Sequence, residues 1–125
     1  MLKDIDATAM LAVKDVSVAK DFYERALGLE PSQSEQPGMV GYEIGKTSIL
    51  VYESDYAGTN QANALAWSVG DEFDAIVNDL KTKGVTFEHY DLPGLTLEGD
   101  VHVAEGFKGA WFKDPDGNIL HVNGR

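Results

Sequence analysis

Apolar residues along this chain fall into two patterns. Some form short runs of about six, bounded by Gly, Asp or Pro. Others recur every three or four positions, as on one face of a helix. Thr8-Ala-Met-Leu-Ala-Val13 is a run of the first kind and predicts a strand. Val16, Ala19, Phe22, Tyr23, Ala26 and Leu27 follow at helical spacing. Asp15 stands in front of them as an N-cap whose carboxylate accepts from free backbone N–H groups, and Gly28 stands where a left-handed helix stop belongs. Val40 to Ile44 and Thr47 to Tyr52 then predict two strands around a turn at Gly45-Lys46.

The second half repeats this order. Ala64-Leu-Ala-Trp-Ser-Val69 is a strand, Asp71 an N-cap with Asp74 as its capping-box acid, and Phe73, Ile76, Val77 and Leu80 one helix face. Gly84 ends that helix, and Val85 to Asp91 is a further strand. Asp114-Pro-Asp-Gly-Asn118 is a strong turn signal, with Pro fixing one φ and Gly supplying a positive one. Its flanks, Ala110-Trp-Phe112 and Ile119-Leu-His-Val122, predict a closing hairpin. Val13 and Val69, Asp15 and Asp71, and Gly28 and Gly84 are each 56 positions apart. Strand, cap and stop at one common offset point to a duplication of a βαβββ module. Each module alone is too small for a good core, so the two are expected to pair, within one chain or across a dimer.

Between them lie two irregular stretches. Leu92 to Gly109 contains Pro93 and glycines 94, 99, 106 and 109, with Val101 to Ala104 as a short strand inside it. It reads either as a lid over a site or as a plain connector. Glu30 to Gly38 is a polar loop with less promise for binding.

Composition narrows the function. With 125 residues the chain suffices for one compact domain. A net charge of −11 argues against nucleic acid or an anionic membrane surface as partner. The absence of Cys removes disulfides, thiolate metal sites and Cys nucleophiles. The start shows no long apolar segment of a signal peptide, and no apolar run approaches the ~18 residues of a membrane span, so a cytoplasmic protein is expected.

The stretches "LAVKDVSVAKDFYERALGL" and "AWFKDPDGNILHV" resemble the vicinal oxygen chelate superfamily, which includes glyoxalase I, bleomycin-resistance proteins, fosfomycin-resistance enzymes and extradiol dioxygenases. Phe22-Tyr23 through Leu27-Gly28, an FY-x(3)-LG pattern, and the DPDGN turn carry the resemblance, which covers essentially the whole chain. It implies an α+β fold: two paired βαβββ modules forming a half-open, cup-shaped mixed β-sheet with helices outside. One domain over 1–125 would hold module one at about 5–55 and module two at about 62–125. It also implies a homodimer and a divalent metal in the cup, chelated by neighbouring oxygens of the substrate.

The resemblance further implies where metal ligands belong. The first-strand ligand sits seven residues before the capping Asp, which is Thr8 here; its second-module equivalent is Ala64. The fourth-strand ligand aligns with Leu50, and the last-strand Glu, four residues after the Gly of DPDGN, is His121. Only His121 is a good ligand, and protein sites supply three or four. No metal and no other cofactor is therefore expected. The alternative is a divalent metal at an atypical site, joining His121 to loop carboxylates such as Glu105. His121 itself reads as a ligand contact, as a half-buried hydrogen-bonded side chain, or as part of that atypical site. His102 can reach the cup with Glu105 or Asp100, although nothing in the spacing demands it, and His89 reads as surface.

Strand parity, together with the resemblance, gives the wall of the cup. Thr8, Met10, Leu50, Tyr52, Ala64, Ala66, Ser68, Trp111, His121 and Asn123 face inward, and Leu11, Val13, Ile49, Val51, Leu65, Trp67, Phe112, Leu120 and Val122 pack under the helices. Apolar walls with a few directed polar groups suit a small organic molecule, and the aromatic faces suit a flat one. The expected function is a metal-free binding protein that sequesters or carries such a molecule. The alternative is an enzyme, a lyase or isomerase for instance, with His121 as general base. A third is a non-catalytic interaction module. Typical metal-dependent glyoxalase I activity, which needs a metal and a carboxylate base, is not expected.

Overall fold

The computed structural model describes residues 1–32 and 36–125. Part of the polar loop expected over 30–38 lies outside the described residues. The chain divides into two compact units: Met1–Asn60 with Pro115–Gly117, and Gln61–Asp114 with Asn118–Arg125. Each holds its own sheet, neither is closed, and the chain is α+β.

The first unit contains β1 (Thr8–Val13), α1 (Val16–Lys20) continued by a π-helical turn (Asp21–Ala26), β2 (Met39–Ile44) and β3 (Thr47–Glu53). The strand order is β1-β3-β2, with β1 parallel and β2 antiparallel to β3. Asp15 caps the helix as expected, accepting from the Ser17 backbone N–H and hydroxyl. Glu53 adds a second carboxylate, accepting from the Val16 N–H. These bonds hold the Asp15 carboxyl below its ordinary range, the Ser17 hydroxyl first among them. Ala19, Tyr23 and Ala26 are buried against Leu11, Val13, Val40, Tyr42, Ile49 and Val51. Among the described residues this module has three strands, one fewer than a βαβββ unit.

The second unit contains β4 (Asn63–Gly70), α2 (Phe73–Thr82), β5 (Phe87–Glu88), β6 (Thr96–Glu98), β7 (Val101–Ala104), β8 (Phe107–Lys113) and β9 (Ile119–Gly124). Its order is β4-β9-β8-β7-β6, with β5 on β8. The stretch 92–109 is thus largely a β6–β7 hairpin that extends the sheet. A strand hydrogen-bonded to β8 is scaffold, so the lid reading does not apply to β7. The expected strand Val85 to Asp91 shrinks to Phe87–Glu88, which pair with Phe112 and Trp111. Phe73, Val77 and Leu80 are the buried face of α2.

Asp71 is not the cap of α2. Glu72 occupies that position without a side-chain capping bond, after a turn in which the Glu72 N–H returns to the Val69 carbonyl. The extra turn moves Asp71 off the helix end, and its carboxylate pairs with Arg125 instead. Asp74 likewise pairs with Lys108. Gly28 and Gly84 do both stand in the left-handed region, as helix stops should. Among the described residues no helix is long and apolar enough to cross a membrane.

Gly124 lets β9 approach the start of α2. A Cβ there would overlap the Gly70 carbonyl oxygen and lie 3.0 Å from the Phe73 Cβ. Backbone cannot step aside as a flexible side chain can. Gly124→Ala is expected to destabilise the protein by roughly 1–3 kcal/mol, the scale of overpacking. Urea denaturation checks this; an unchanged midpoint would show that the β9–α2 approach is loose.

Candidate functional site

The closing hairpin sets the register of the second sheet. Asp114 is buried and accepts from the Asn118 backbone N–H at 2.9 Å and side-chain Nδ2 at 2.8 Å, while its own N–H donates to the Asn118 carbonyl at 3.0 Å. The turn is closed from both sides, so Trp111 stands opposite His121 and Gly109 opposite Asn123. In the next strands out, His121 pairs with Ala66, Asn123 with Ser68, Gly109 with His102 and Trp111 with Glu88. Residues directly opposite point to the same side of a sheet. Ala66, Ser68, Glu88, His102, Gly109, Trp111, His121 and Asn123 therefore share one face, where Glu88 pairs with Lys113. Leu120, Val122, Ala110 and Phe112 lie on the other and are buried, and Trp67 has their parity.

The ten candidates divide between the sheets. Thr8, Met10, Leu50 and Tyr52 share the face of the first sheet opposite its buried side, with Thr8 opposite Ser48, Met10 opposite Leu50 and Ala12 opposite Tyr52. Met10 is 58% exposed there. Ala66, Ser68, Trp111, His121 and Asn123 share the face of the second sheet. Ala64 falls in a register irregularity of β4 and has no register partner in β9.

Trp111 and His121 are in direct contact. Their rings stack with centroids 4.1 Å apart and planes 18° from parallel, and they are 8% and 7% exposed. His121 Nδ1 lies 3.0 Å from the Ala110 carbonyl oxygen. That atom only accepts, so Nδ1 carries the proton and donates, leaving Nε2 as an acceptor lone pair. Burial pushes the His121 pKa below 6.5, the nearby His102 pushes it the same way, and the Ala110 bond opposes both.

Two residues outside the candidate set complete the cluster. His102 is 1% exposed, with its ring edge-on to Trp111 at 4.9 Å. Tyr90 meets Trp111 edge-on at 5.8 Å, and its backbone N–H donates to His102 Nε2 at 3.0 Å. The signal for His102 was its place in Val101-His102-Val103-Ala104, where strand parity sets it apart from its apolar neighbours. Tyr90 gave none, because it lies beyond the short β5. His89 is exposed and pairs with Asp100, which also takes Lys81. Asp100 is thus engaged away from His102.

Among the described residues no group of three or more His, Asp or Glu side chains stands where it could hold a metal ion. At the positions aligned with family ligands, one imidazole, a threonine hydroxyl and hydrocarbon do not make a divalent site. An open cleft of about 560 Å³ lies elsewhere, lined by Lys14, Glu53, Ser54, Asp55 and Tyr56. It contains no candidate residue, and its Glu53 is engaged at the α1 N-terminus.

These features meet a family-level match. The model of the Glyoxalase/Bleomycin resistance protein/Dioxygenase superfamily matches residues 5–122. The chain belongs to this superfamily. Among solved structures it is similar to the oxidase ChaP-H2, at 26% identity and a TM-score of 0.69, covering 97% of this chain and 93% of that one. A hypothetical protein from S. aureus is 27% identical at a TM-score of 0.67, covering 97% of each chain. Lactoylglutathione lyase from Agrobacterium tumefaciens, at 18% identity, TM-score 0.70 and coverages of 96% and 92%, shares the fold. No curated protein matches the chain.

The buried His121 has a pH consequence. Its folded pKa is depressed, so the unfolded chain takes up a proton that the folded protein refuses. The stability that this lends is fully present above the ordinary value of 6.5 and is lost as the pH falls through the lower folded value. A proton NMR titration is expected to place the His121 midpoint below 6.5, and His121→Phe is expected to flatten the fall in stability between neutral and mildly acidic pH. A midpoint at or above 6.5 would contradict this.

Proposed function

We propose that this superfamily member is a small-molecule binding protein that works without a metal and meets its ligand on the Trp111–His121 face of the second sheet. One observation carries the reading: a neutral imidazole, stacked on an indole and fixed in one tautomer by the Ala110 carbonyl, stands where the family places a metal-binding carboxylate. Such a pair offers an apolar surface with one directed acceptor, as small-molecule sites do. Small Ala66 and Ser68 beside it leave room.

An enzymatic reading has its own support. A neutral imidazole with an oriented lone pair is also the state a general base needs. A relative 26% identical is an oxidase, so catalysis within this fold is a second reading of the same face. His121→Gln separates the two. In a binder it weakens ligand binding by about 0.5–1.5 kcal/mol, the worth of one hydrogen bond. In an enzyme it lowers turnover about 10²–10⁴-fold with far less effect on binding.

The test of the main reading is mass spectrometry of small molecules carried by the native protein, followed by elemental analysis. An organic ligand without stoichiometric metal is expected. Rebinding should change Trp111 emission in Trp67→Phe and leave Trp111→Phe silent. About one metal per chain, lost in His121→Ala, would overturn it.

We also infer a homodimer in the cytoplasm. The apolar side chains of Met1, Leu2 and Ile5 are exposed in the single chain and support a covering partner. Light scattering should give twice the chain mass; a monomer at micromolar concentration would count against it.

A further inference from the structure

We propose that His102 is a second ligand-contacting residue of the same face, a fixed donor that complements the fixed acceptor of His121, and that the two together select an uncharged planar molecule bearing both a carbonyl and a hydroxyl. The proposal rests on the binding reading above and adds the class of ligand.

The argument starts from the hydrogen bond of His102. The Tyr90 backbone N–H donates to its Nε2 at 3.0 Å. A nitrogen that accepts holds a lone pair, so the ring is neutral and its one proton sits on Nδ1. Nδ1 is buried and has no hydrogen-bond partner among the described residues, and neither has the Tyr90 hydroxyl. Buried donors in folded proteins are almost always paired, and an unpaired one disfavours the state that leaves it so. A ligand acceptor reaching Nδ1 removes that deficit. A ligand without one leaves it in place, which makes such a group discriminating.

His121 is the mirror case. Its Nδ1–H is committed to the Ala110 carbonyl, and among the described residues no hydrogen bond reaches its Nε2. The two imidazoles flank one indole, with centroids 4.9 Å and 4.1 Å from that of Trp111. Their register partners, Gly109 and Ala66, have little or no side chain. One ring presents a donor and the other an acceptor. The matching ligand carries a carbonyl for His102 and a hydroxyl for His121. Both rings are neutral, so neither draws an anion, and the net charge of −11 repels one. The flat rings of Trp111, Tyr90, His102 and His121 favour a flat partner.

The test uses the full-length nitrogen-15-labelled protein and three probes of one shape. 3-Hydroxyacetophenone has both groups, acetophenone lacks the hydroxyl, and 3-ethylphenol lacks the carbonyl. Long-range proton–nitrogen spectra of the free protein are expected to show His102 protonated at Nδ1 and bare at Nε2. His121 should be protonated at Nδ1 too. At millimolar concentration 3-hydroxyacetophenone should shift His102 Nδ1 and His121 Nε2, and each single-group probe should bind about tenfold more weakly, the scale of one good hydrogen bond in a closed site. His102→Phe should remove the preference for the carbonyl and leave 3-ethylphenol binding nearly unchanged.

A His102 protonated at Nε2 overturns the proposal, whatever binds. So do shifts at Trp111 and His121 that are equal for 3-hydroxyacetophenone and 3-ethylphenol with His102 silent; the binding reading then stands without His102. No shift with any probe also overturns it, while capture of a native ligand still judges the binding reading. If His102→Phe fails to fold, the wild-type tautomer and the three-probe comparison decide.

Discussion

The register of the β8–β9 hairpin governs the chemistry of this chain. Asp114 holds Asn118 through three hydrogen bonds across a Pro-Asp-Gly turn, and both side chains are buried. A slip of one residue would send every β9 side chain to the opposite face. His121 would then lie under α2, where an imidazole has no partner, and Leu120 would face outward. The separate β7–β8 register then aligns His102 with Gly109 one strand further out, so two hairpins that share β8 set the two imidazoles beside one indole.

Much of this was legible in the sequence, for reasons that differ by element. β1 was readable because its apolar run is bounded cleanly by Thr8 and the capping Asp15. The DPDGN turn was readable because Pro and Gly each demand a particular backbone angle. The parity of Trp111 and His121 against Trp67 followed from strand alternation together with the family resemblance. The α2 cap was misread because an Asp before a helix is only a candidate; the turn at Glu72 moved Asp71 away to Arg125. β7 was readable at Val101–Ala104, but β6 and its pairing were hidden because the glycines around them look like loop residues, and short strands owe their existence to a neighbour more than to their own pattern.

The candidate site was legible only in part for a similar reason. Local pattern identifies which residues share a face, but pairing across strands decides which of them touch. Tyr90 enters the cluster through backbone and ring, from the part of the expected strand Val85 to Asp91 that lies beyond the observed β5. Its N–H sets the tautomer of His102, and no spacing rule encodes a tautomer. The common offset of 56 residues survives as a left-handed glycine after each helix, while the second module alone carries the inserted hairpin that bears His102.

His121 also rebalances charge at its position. The resembled family has a glutamate there, and a carboxylate that is 93% shielded from solvent needs a cation or several donors to remain ionised. An imidazole has no such need. At 7% exposure it stays neutral, spends its one proton on the Ala110 carbonyl and lays its ring on Trp111. His102 is also held by a backbone group, but as an acceptor: its Nε2 takes the Tyr90 N–H, and its ring meets the edge of Trp111. Glu88, opposite Trp111 on the same face, pairs with Lys113. Each imidazole is thus tied to a backbone group, and Trp111 lies in ring contact with both.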